Sequence, residues 1–114
     1  MTFQWSAVTI DCTDPHRLAD FWSALLPGER SVPLPGWVRL HPAGLPAINF
    51  QPVPEAKATK ARLHLDLRVE DIDVAVATVH DLGGRTLARH DYDEGAVVVL
   101  ADPEGTEFCL VQYY

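Results

Sequence analysis

The sequence predicts an α+β domain in which two similar halves each contain a strand, a helix and further strands. The first observation is the run from Leu63 to Leu82, LHLDLRVEDIDVAVATVHDL. Apolar and polar residues alternate from Leu63 to Val69, as in a strand with one buried face, and apolar residues then recur at helical spacing. Asp71 stands between them at the N-cap position, and Gly83 ends the helix. A comparable run near the start of the chain is the second observation.

The first half begins with a predicted strand over residues 7–12, followed by a helix. Asp14-Pro15 supplies an N-cap with proline at the first helical position, and Pro27-Gly28 ends the helix. Prolines interrupt the rest of this half and leave short extended pieces at 37–41 and 47–51. Residues 55–60 are predicted to form an exposed connection between the halves.

In the second half, strands are predicted at 85–89, 96–101 and 106–112, with a turn at 91–95. The valine run of the middle strand favours burial on both faces. Asp102-Pro103-Glu104-Gly105 fits a type I turn. The residues assigned to the core are Phe21, Trp22, Phe50 and Phe108.

The two halves are related by a nearly constant offset. Asp71 corresponds to Asp14 and Leu67 to Ile10 at an offset of 57 positions, and Phe108 corresponds to Ile48 at an offset of 60. The offset is half the chain length, and loops absorb the difference. We interpret the pattern as an internal repeat in which neither half buries its apolar face alone.

The charge balance argues against nucleic acid and membrane surfaces as partners. The net charge is −7, and the only basic cluster is formed by Lys57, Lys60 and Arg62. We attribute the acidity to solubility.

The chain is expected to be cytoplasmic, with reduced thiols. Met1–Gln4 lacks the basic start and apolar run of a signal peptide, and no apolar stretch approaches membrane-spanning length. Cys12 and Cys109 are too few for a disulfide framework and show no metal-type spacing.

The segment HLDLRVEDIDVAV and the turn DPEGTEFCLV, within a chain of two similar halves, resemble the vicinal oxygen chelate superfamily. More narrowly, the chain is similar to its glyoxalase-like and bleomycin-resistance-like domains, over nearly the whole length. The resemblance implies one domain, 1–114, of two βαβββ modules (about 1–54 and 62–114, linker about 55–61) with a concave sheet cleft, commonly in a homodimer. It does not fix the function, because members include lyases, isomerases, ring-cleaving dioxygenases and metal-free binding proteins.

The resemblance also implies where a divalent metal would be held in the metal-dependent members. The four ligand positions fall at Ala7, Asn49, His64 and Cys109, so His64 is the only usual ligand that is kept. A His-Cys pair could suit zinc, and Glu107 could add a third ligand, but hard divalent ions need several imidazoles or carboxylates. We therefore expect no metal cofactor, and a divalent metal stays the alternative.

His64 and Asp66 lie on the polar face of their strand and are the candidate catalytic residues. A neutral imidazole beside a carboxylate could act as a general base or hydrogen-bond a ligand, or it could be a structural histidine satisfied by a neighbour. Arg68 continues this face, and the row from His64 to Arg68 spans about 13 Å, so only His64 and Asp66 can share a small ligand. Arg68 is expected in an ion pair at the rim. Cys109 is interpreted as a cavity-lining thiol rather than a nucleophile, because no cation is visible that would lower its pKa.

A second polar face is predicted in the first half. Trp37, Arg39 and His41 alternate with apolar residues, and could form a stacking platform for a flat ligand, unless Trp37 is a core or dimer contact. The predicted ligand-binding residues are Thr9, Asp11, Trp37, Arg39, Asn49, Gln51 and Cys109.

Three functions are compatible with these residues, so whether the protein is an enzyme stays open. The first is metal-free binding of a small molecule. The second is a lyase or isomerase that removes a proton beside a carbonyl, either with a metal or with His64 or Asp66 as base and with Arg39 or backbone donors stabilising the enediolate. The third is sequestration of an antibiotic, for which the negative charge would suit a cationic drug.

Overall fold

The computed structural model describes residues 6–61 and 63–114 of the chain. The chain divides into two compact units on either side of the Ala56–Lys57 bond. Within the described residues, each unit contains one helix and one four-stranded sheet, in the order strand, helix and three strands. The predicted α+β class and the repeated βαβββ order are therefore confirmed. The predictions for Met1–Gln4 and Arg62 concern residues outside the described ranges.

The first unit consists of β1 (Ala7–Cys12), α1 (Pro15–Leu25), β2 (Gly28–Ser31), β3 (Val38–Pro42) and β4 (Ala47–Pro52). Its sheet has the order β1-β4-β3-β2, in which β1 runs parallel to β4 and the other neighbours are antiparallel. The bounds of β1 are those predicted from the sequence, those of β3 are shifted by one residue at both ends, and β4 is one residue longer at its end.

α1 begins where the sequence predicts, because its first backbone N–H groups are satisfied locally. The Asp14 carboxylate accepts a hydrogen bond from the Arg17 N–H at 3.2 Å, and Pro15 has no N–H to satisfy. The predicted core residues Phe21 and Trp22 are buried on the side of α1 that packs on β3 and β4. One face of the first sheet is thus covered by its own helix.

β2 is missing from the sequence prediction. Its residues, Gly28–Ser31, are all exposed and show no apolar alternation that would mark a strand. Gly28 does more than end α1, because it starts a strand so close to β3 that a Cβ there would collide with the His41 carbonyl oxygen. Arg30 then pairs with Asp20 of α1 at 2.8 Å. The role of Gly28 is close approach between strands.

The second unit consists of β5 (Leu65–Arg68), α2 (Ile72–Asp81), β6 (Arg85–Tyr92), β7 (Gly95–Ala101) and β8 (Glu107–Tyr113). Its sheet has the order β5-β8-β7-β6, again with one parallel pair, β5 and β8. The architecture of the first unit is thereby repeated.

Three details of the second unit differ from the prediction. β5 starts at Leu65, which pairs with Phe108 of β8, rather than at Leu63, which is 88% exposed. β6 extends to Tyr92, which pairs with Gly95 across a two-residue turn. The valines of β7 are buried on one face only, and those on the other face are half-buried.

α2 starts at Ile72 because two side chains satisfy its first N–H groups. The Asp71 carboxylate accepts hydrogen bonds from the Asp73 and Val74 N–H groups at 3.1 and 3.2 Å, which confirms the predicted cap. The side-chain oxygen of Gln112 in β8 accepts a further hydrogen bond from the Ile72 N–H at 2.9 Å. The start of α2 is therefore tied to β8.

Both sheets share one register, which confirms the internal repeat. Thr9 lies opposite Asn49 in the first sheet as Asp66 lies opposite Cys109 in the second, and the offsets are the predicted 57 and 60. Continuing across each sheet gives two equivalent rows: Thr9, Asn49, Arg39 and Ser31 in the first, and Asp66, Cys109, Val99 and Ala88 in the second.

The turn before β8 is organised by the buried Asp102. Its side chain accepts hydrogen bonds from the Glu104 and Thr106 N–H groups, both at 2.9 Å. The Gly105 N–H donates to the Asp102 carbonyl at 2.9 Å and closes the predicted four-residue turn. Because Asp102 is 0% exposed, these bonds offset the cost of burying its carboxyl group.

Replacing Asp102 by alanine is expected to lower the free energy of unfolding by about 2–4 kcal/mol, because two backbone N–H groups lose their acceptor. Asp93→Ala, in the exposed turn between β6 and β7, is the matched control and should change it by less than about 0.5 kcal/mol. Urea unfolding followed by circular dichroism measures both. Equal stability of the two variants would contradict the role given to Asp102.

Candidate functional site

In the second sheet, side chains alternate between the face covered by α2 and the opposite face, here named the second distal face. Leu65 and Leu67 of β5 lie opposite Phe108 and Leu110 of β8, which are buried on the α2 side. Asp66 lies between the two leucines and so projects onto the second distal face. The parity predicted from the leucine alternation is thereby confirmed for β5.

Three polar side chains meet on the second distal face. His64 immediately precedes β5 and places its Nε2 atom 3.2 Å from Oδ1 of Asp66. Cys109 of β8 is the register partner of Asp66, and one ligand atom from each of the three residues lies within 4.8 Å of the other two. The side chains of His64 and Asp66 are 50% and 61% exposed, whereas Cys109 is buried. The imidazole is therefore both oriented and accessible.

The pairing of His64 with Asp66 has a chemical consequence for the ring. When Nε2–H donates to the Asp66 carboxylate, the other ring nitrogen, Nδ1, carries the lone pair and can accept a proton or a hydrogen bond. An ion pair this exposed contributes no more than about 1 kcal/mol to folding. Stabilisation of the fold is thus a weak reason for the arrangement.

Cys109 is held in its neutral form. Burial raises the pKa of the Cys109 thiol, and the charge and hydrogen-bond acceptor of Asp66 raise it further, as does the charge of Glu107; Lys60 opposes them weakly. A protonated thiol is a poor nucleophile at neutral pH. This environment agrees with the prediction that Cys109 lines the site rather than attacks a substrate.

The cluster of His64, Asp66 and Cys109 can be tested against the metals of the family by its donor types. A thiol is a poor ligand for hard ions such as Mn²⁺ or Mg²⁺, so the set does not fit them. The donor types and the number of ligands do fit zinc, because catalytic zinc sites use three nitrogen, oxygen or sulfur ligands from the protein. The sequence analysis considered only His64 and Cys109 as zinc ligands, with Glu107 as a possible third. In the structure the third residue of the cluster is Asp66.

Two other predictions for this face change. Glu107, predicted as an additional ligand, lies 3.7 Å from the Lys57 ammonium and outside the cluster of three. Arg68, predicted in an ion pair, instead stacks over the Tyr113 ring at 4.9 Å from its centroid. Tyr113 was missed as a member of this face, although it continues the parity of Cys109 along β8.

The first sheet has a corresponding face opposite α1, here named the first distal face. Arg39 Nε donates to Asn49 Oδ1 at 2.7 Å, and Asn49 Nδ2 donates to Thr9 Oγ1 at 3.5 Å. Asp11 and Gln51 are the next register pair along β1 and β4 on the same face. Three of the six ligand-binding residues predicted for this half are thus joined by hydrogen bonds, and Trp37, just before β3, is half-buried.

Comparisons with known proteins agree with the resemblance drawn from the sequence. A model of the glyoxalase-like domain family matches residues 7–111. A glyoxalase/bleomycin resistance protein/dioxygenase family enzyme from Burkholderia phytofirmans PsJN superposes with a TM-score of 0.78 at 17% identity, covering 98% of this chain and 100% of that one. No curated protein matches the sequence significantly.

Similar solved structures also include a fosfomycin resistance protein, FosX, from Listeria monocytogenes. It superposes with a TM-score of 0.79 at 16% identity, covering 100% of this chain and 96% of that one. A variant of that protein is described in complex with Mn(II) and 1S,2S-dihydroxypropylphosphonic acid; its TM-score is 0.78 at 16% identity, with coverage of 97% of this chain and 90% of that one. At these identities the likeness shows the fold alone.

Neither helix in the described ranges is long and apolar enough to cross a membrane.

The raised pKa of Cys109 predicts slow alkylation by iodoacetamide near neutral pH, with the midpoint of the pH–rate profile above the usual value of about 8.5. Asp66→Asn should lower this midpoint, because it removes a negative charge beside the sulfur. Asp81→Asn, at the exposed end of α2, controls for net charge. Peptide mass spectrometry separates Cys109 from Cys12; a wild-type midpoint at or below the usual value would contradict the assignment.

Proposed function

We propose that this chain, which belongs to the glyoxalase-like domain family, binds a small molecule bearing a carbonyl or acid group on its second distal face, without a metal. The observation that carries the proposal is the close pair of His64 and Asp66, with Nε2 3.2 Å from Oδ1, beside the neutral Cys109. The pair is accessible and contributes little to folding, and it offers a ligand one oriented imidazole nitrogen. Half-buried Val97 and Val99 add apolar surface on the same face.

The other predicted contacts are proposed for each unit by itself. In the first unit the proposed ligand-binding residues are Thr9, Asp11, Trp37, Arg39, Asn49 and Gln51, and in the second unit the proposed residue is Cys109. We further propose a cytoplasmic homodimer, with small molecules rather than nucleic acid or membrane as partners. The net charge of −7 supports the exclusion of polyanionic partners.

The same pair would serve a lyase or isomerase. With Asp66 accepting from Nε2–H, Nδ1 of His64 would take a proton from the carbon beside a carbonyl, the C–H electrons would pass to the carbonyl oxygen as an enediolate, and Asp66 would stabilise the imidazolium. Sequestration of an antibiotic is the remaining alternative. We retain this alternative because one of the similar solved structures is described as a fosfomycin resistance protein.

A zinc-dependent form is the second candidate, favoured by the three ligand atoms within 4.8 Å of one another. His64, Asp66 and Cys109 would hold the ion, which would supply Lewis acidity toward a carbonyl oxygen and would keep the thiol deprotonated. In that form His64 and Asp66 would be ligands, and neither would be available as a base. The two forms therefore assign different roles to the same two side chains.

Adducts of 2-oxoaldehydes with small thiols, together with related carbonyl compounds, are the probes for the metal-free proposal. We expect binding, followed by changes in amide NMR signals, to weaken about tenfold in His64→Ala, because one hydrogen bond to a polar group of the ligand is lost. His16→Ala, an exposed histidine of α1, is the matched control and should bind as the wild type does.

The same variants separate binding from catalysis. Turnover of any of these compounds that falls in His64→Ala and not in His16→Ala supports the lyase or isomerase alternative. Binding and turnover that are unchanged in His64→Ala would remove His64 from the site and contradict the proposal.

A further inference from the structure

We infer that Arg39 forms an oxoanion-binding subsite on the first distal face, suited to a carboxylate or a phosphoryl group. Arg39 is half-buried, and its Nε–H donates a hydrogen bond to Asn49 Oδ1 at 2.7 Å. Asn49 is itself only 7% exposed and donates to Thr9 at 3.5 Å. The chain of Thr9, Asn49 and Arg39 therefore fixes the direction of the guanidinium before any ligand arrives.

The charge of Arg39 has no acidic partner among residues 6–61 and 63–114. Arg30, Arg89 and Lys57 each lie within 4.0 Å of a carboxylate, whereas Arg39 is not in any such pair, and its partner Asn49 is a neutral amide. Withdrawing a cation partly from water without a counter-charge is unfavourable. A bound anion would supply that missing charge.

The internal repeat shows that the fold does not require a cation at this place. Val99 occupies the position equivalent to Arg39, and Cys109 the position equivalent to Asn49, in the same row of the second sheet. An apolar residue therefore satisfies the same backbone environment. The pair of Arg39 and Asn49 therefore occurs only in the first of these two equivalent rows, and binding of an anionic ligand would explain why a cation stands there.

The geometry of the guanidinium indicates the class of ligand. Asn49 uses the Nε–H, and the remaining donors lie on the two terminal nitrogens, which form a planar fork. Such a fork matches two oxygens of one carboxylate or phosphoryl group, and it binds them with two parallel hydrogen bonds. A monatomic anion such as chloride cannot satisfy both donors in this way. The subsite should therefore discriminate between oxoanions and chloride.

This inference deepens the ligand binding proposed for the first unit, because it names the chemical class that Arg39 and Asn49 recognise, and it holds whether or not His64 and Asp66 act in the second unit. The two are tested by different signals. The subsite is followed through the side-chain resonances of Arg39 and Asn49, and the proposed function through variants of His64. Failure of one leaves the other standing.

The test is a titration of the full chain with sodium acetate, sodium phosphate or methylphosphonate at constant ionic strength, with chloride as the reference anion. The Arg39 Nε–H and Asn49 side-chain amide signals are followed by ¹H–¹⁵N NMR. We expect saturable shifts with a Kd on the order of 1–10 mM for at least one oxoanion. Response to acetate alone assigns a carboxylate ligand, and response to phosphate or methylphosphonate assigns a phosphoryl ligand.

Three variants make the result specific. Arg39→Gln should weaken binding at least about tenfold, as read from the Asn49 signal. Asn49→Asp should weaken it similarly while keeping Arg39, because the new carboxylate would pair with the guanidinium. Arg30→Gln is the matched control, since Arg30 lies on the α1 side in a pair with Asp20, and should bind as the wild type does. Shifts that do not saturate, that equal those in chloride, or that persist in Arg39→Gln would overturn the subsite.

Discussion

The alternation of side chains along strands that have a helix on one face is the constraint on which both distal faces depend. Each sheet buries its apolar residues against its own helix, so every second residue must project to the other side. In β5 this rule places Asp66 between Leu65 and Leu67, and in β8 it places Cys109 between Phe108 and Leu110. A shift of one residue in either strand would exchange the site with the core. The polar residues of the site are therefore held in place by the apolar residues beside them.

The repeat provides two equivalent rows of positions with different chemistry. In the first sheet the row reads Thr9, Asn49 and Arg39, and in the second sheet it reads Asp66, Cys109 and Val99. The first row is cationic and is organised by an amide. The second is acidic, and its negative charge together with burial raises the pKa of the Cys109 thiol. One backbone register thus supports a donor surface in one unit and an acceptor surface in the other.

Local patterns in the sequence predicted the elements whose signals are local. Asp71 and Asp14 were identified as caps because the cap and the N–H groups it satisfies are neighbours in the sequence. β2 could not be identified, because an exposed edge strand of polar residues has no apolar period. The start of β5 at Leu65 depends on its pairing with Phe108 of β8, more than 40 residues later, and no local pattern around Leu63 indicates that pairing.

For the candidate site, the sequence predicted which residues share a face more than which side chains contact one another. Parity and the family resemblance together pointed to His64, Asp66 and Cys109, and the structure adds that one atom of each lies within 4.8 Å of the other two. The pairing of Arg39 with Asn49, the stacking of Arg68 on Tyr113 and the pairing of Glu107 with Lys57 each join residues from separate elements. Such contacts depend on side-chain reach across the sheet, which one strand pattern does not contain.

If His64 and Asp66 bind a ligand directly, as proposed, no metal occupies them in solution. Calorimetric titration of chelator-treated protein with Zn²⁺ and with Mn²⁺, for the wild type and for His64→Ala, is the most direct measurement. We predict that the two proteins give the same heats, with no metal site of Kd below about 10 µM in the wild type. One equivalent of Zn²⁺ bound more tightly than this by the wild type, and lost in His64→Ala, would contradict it.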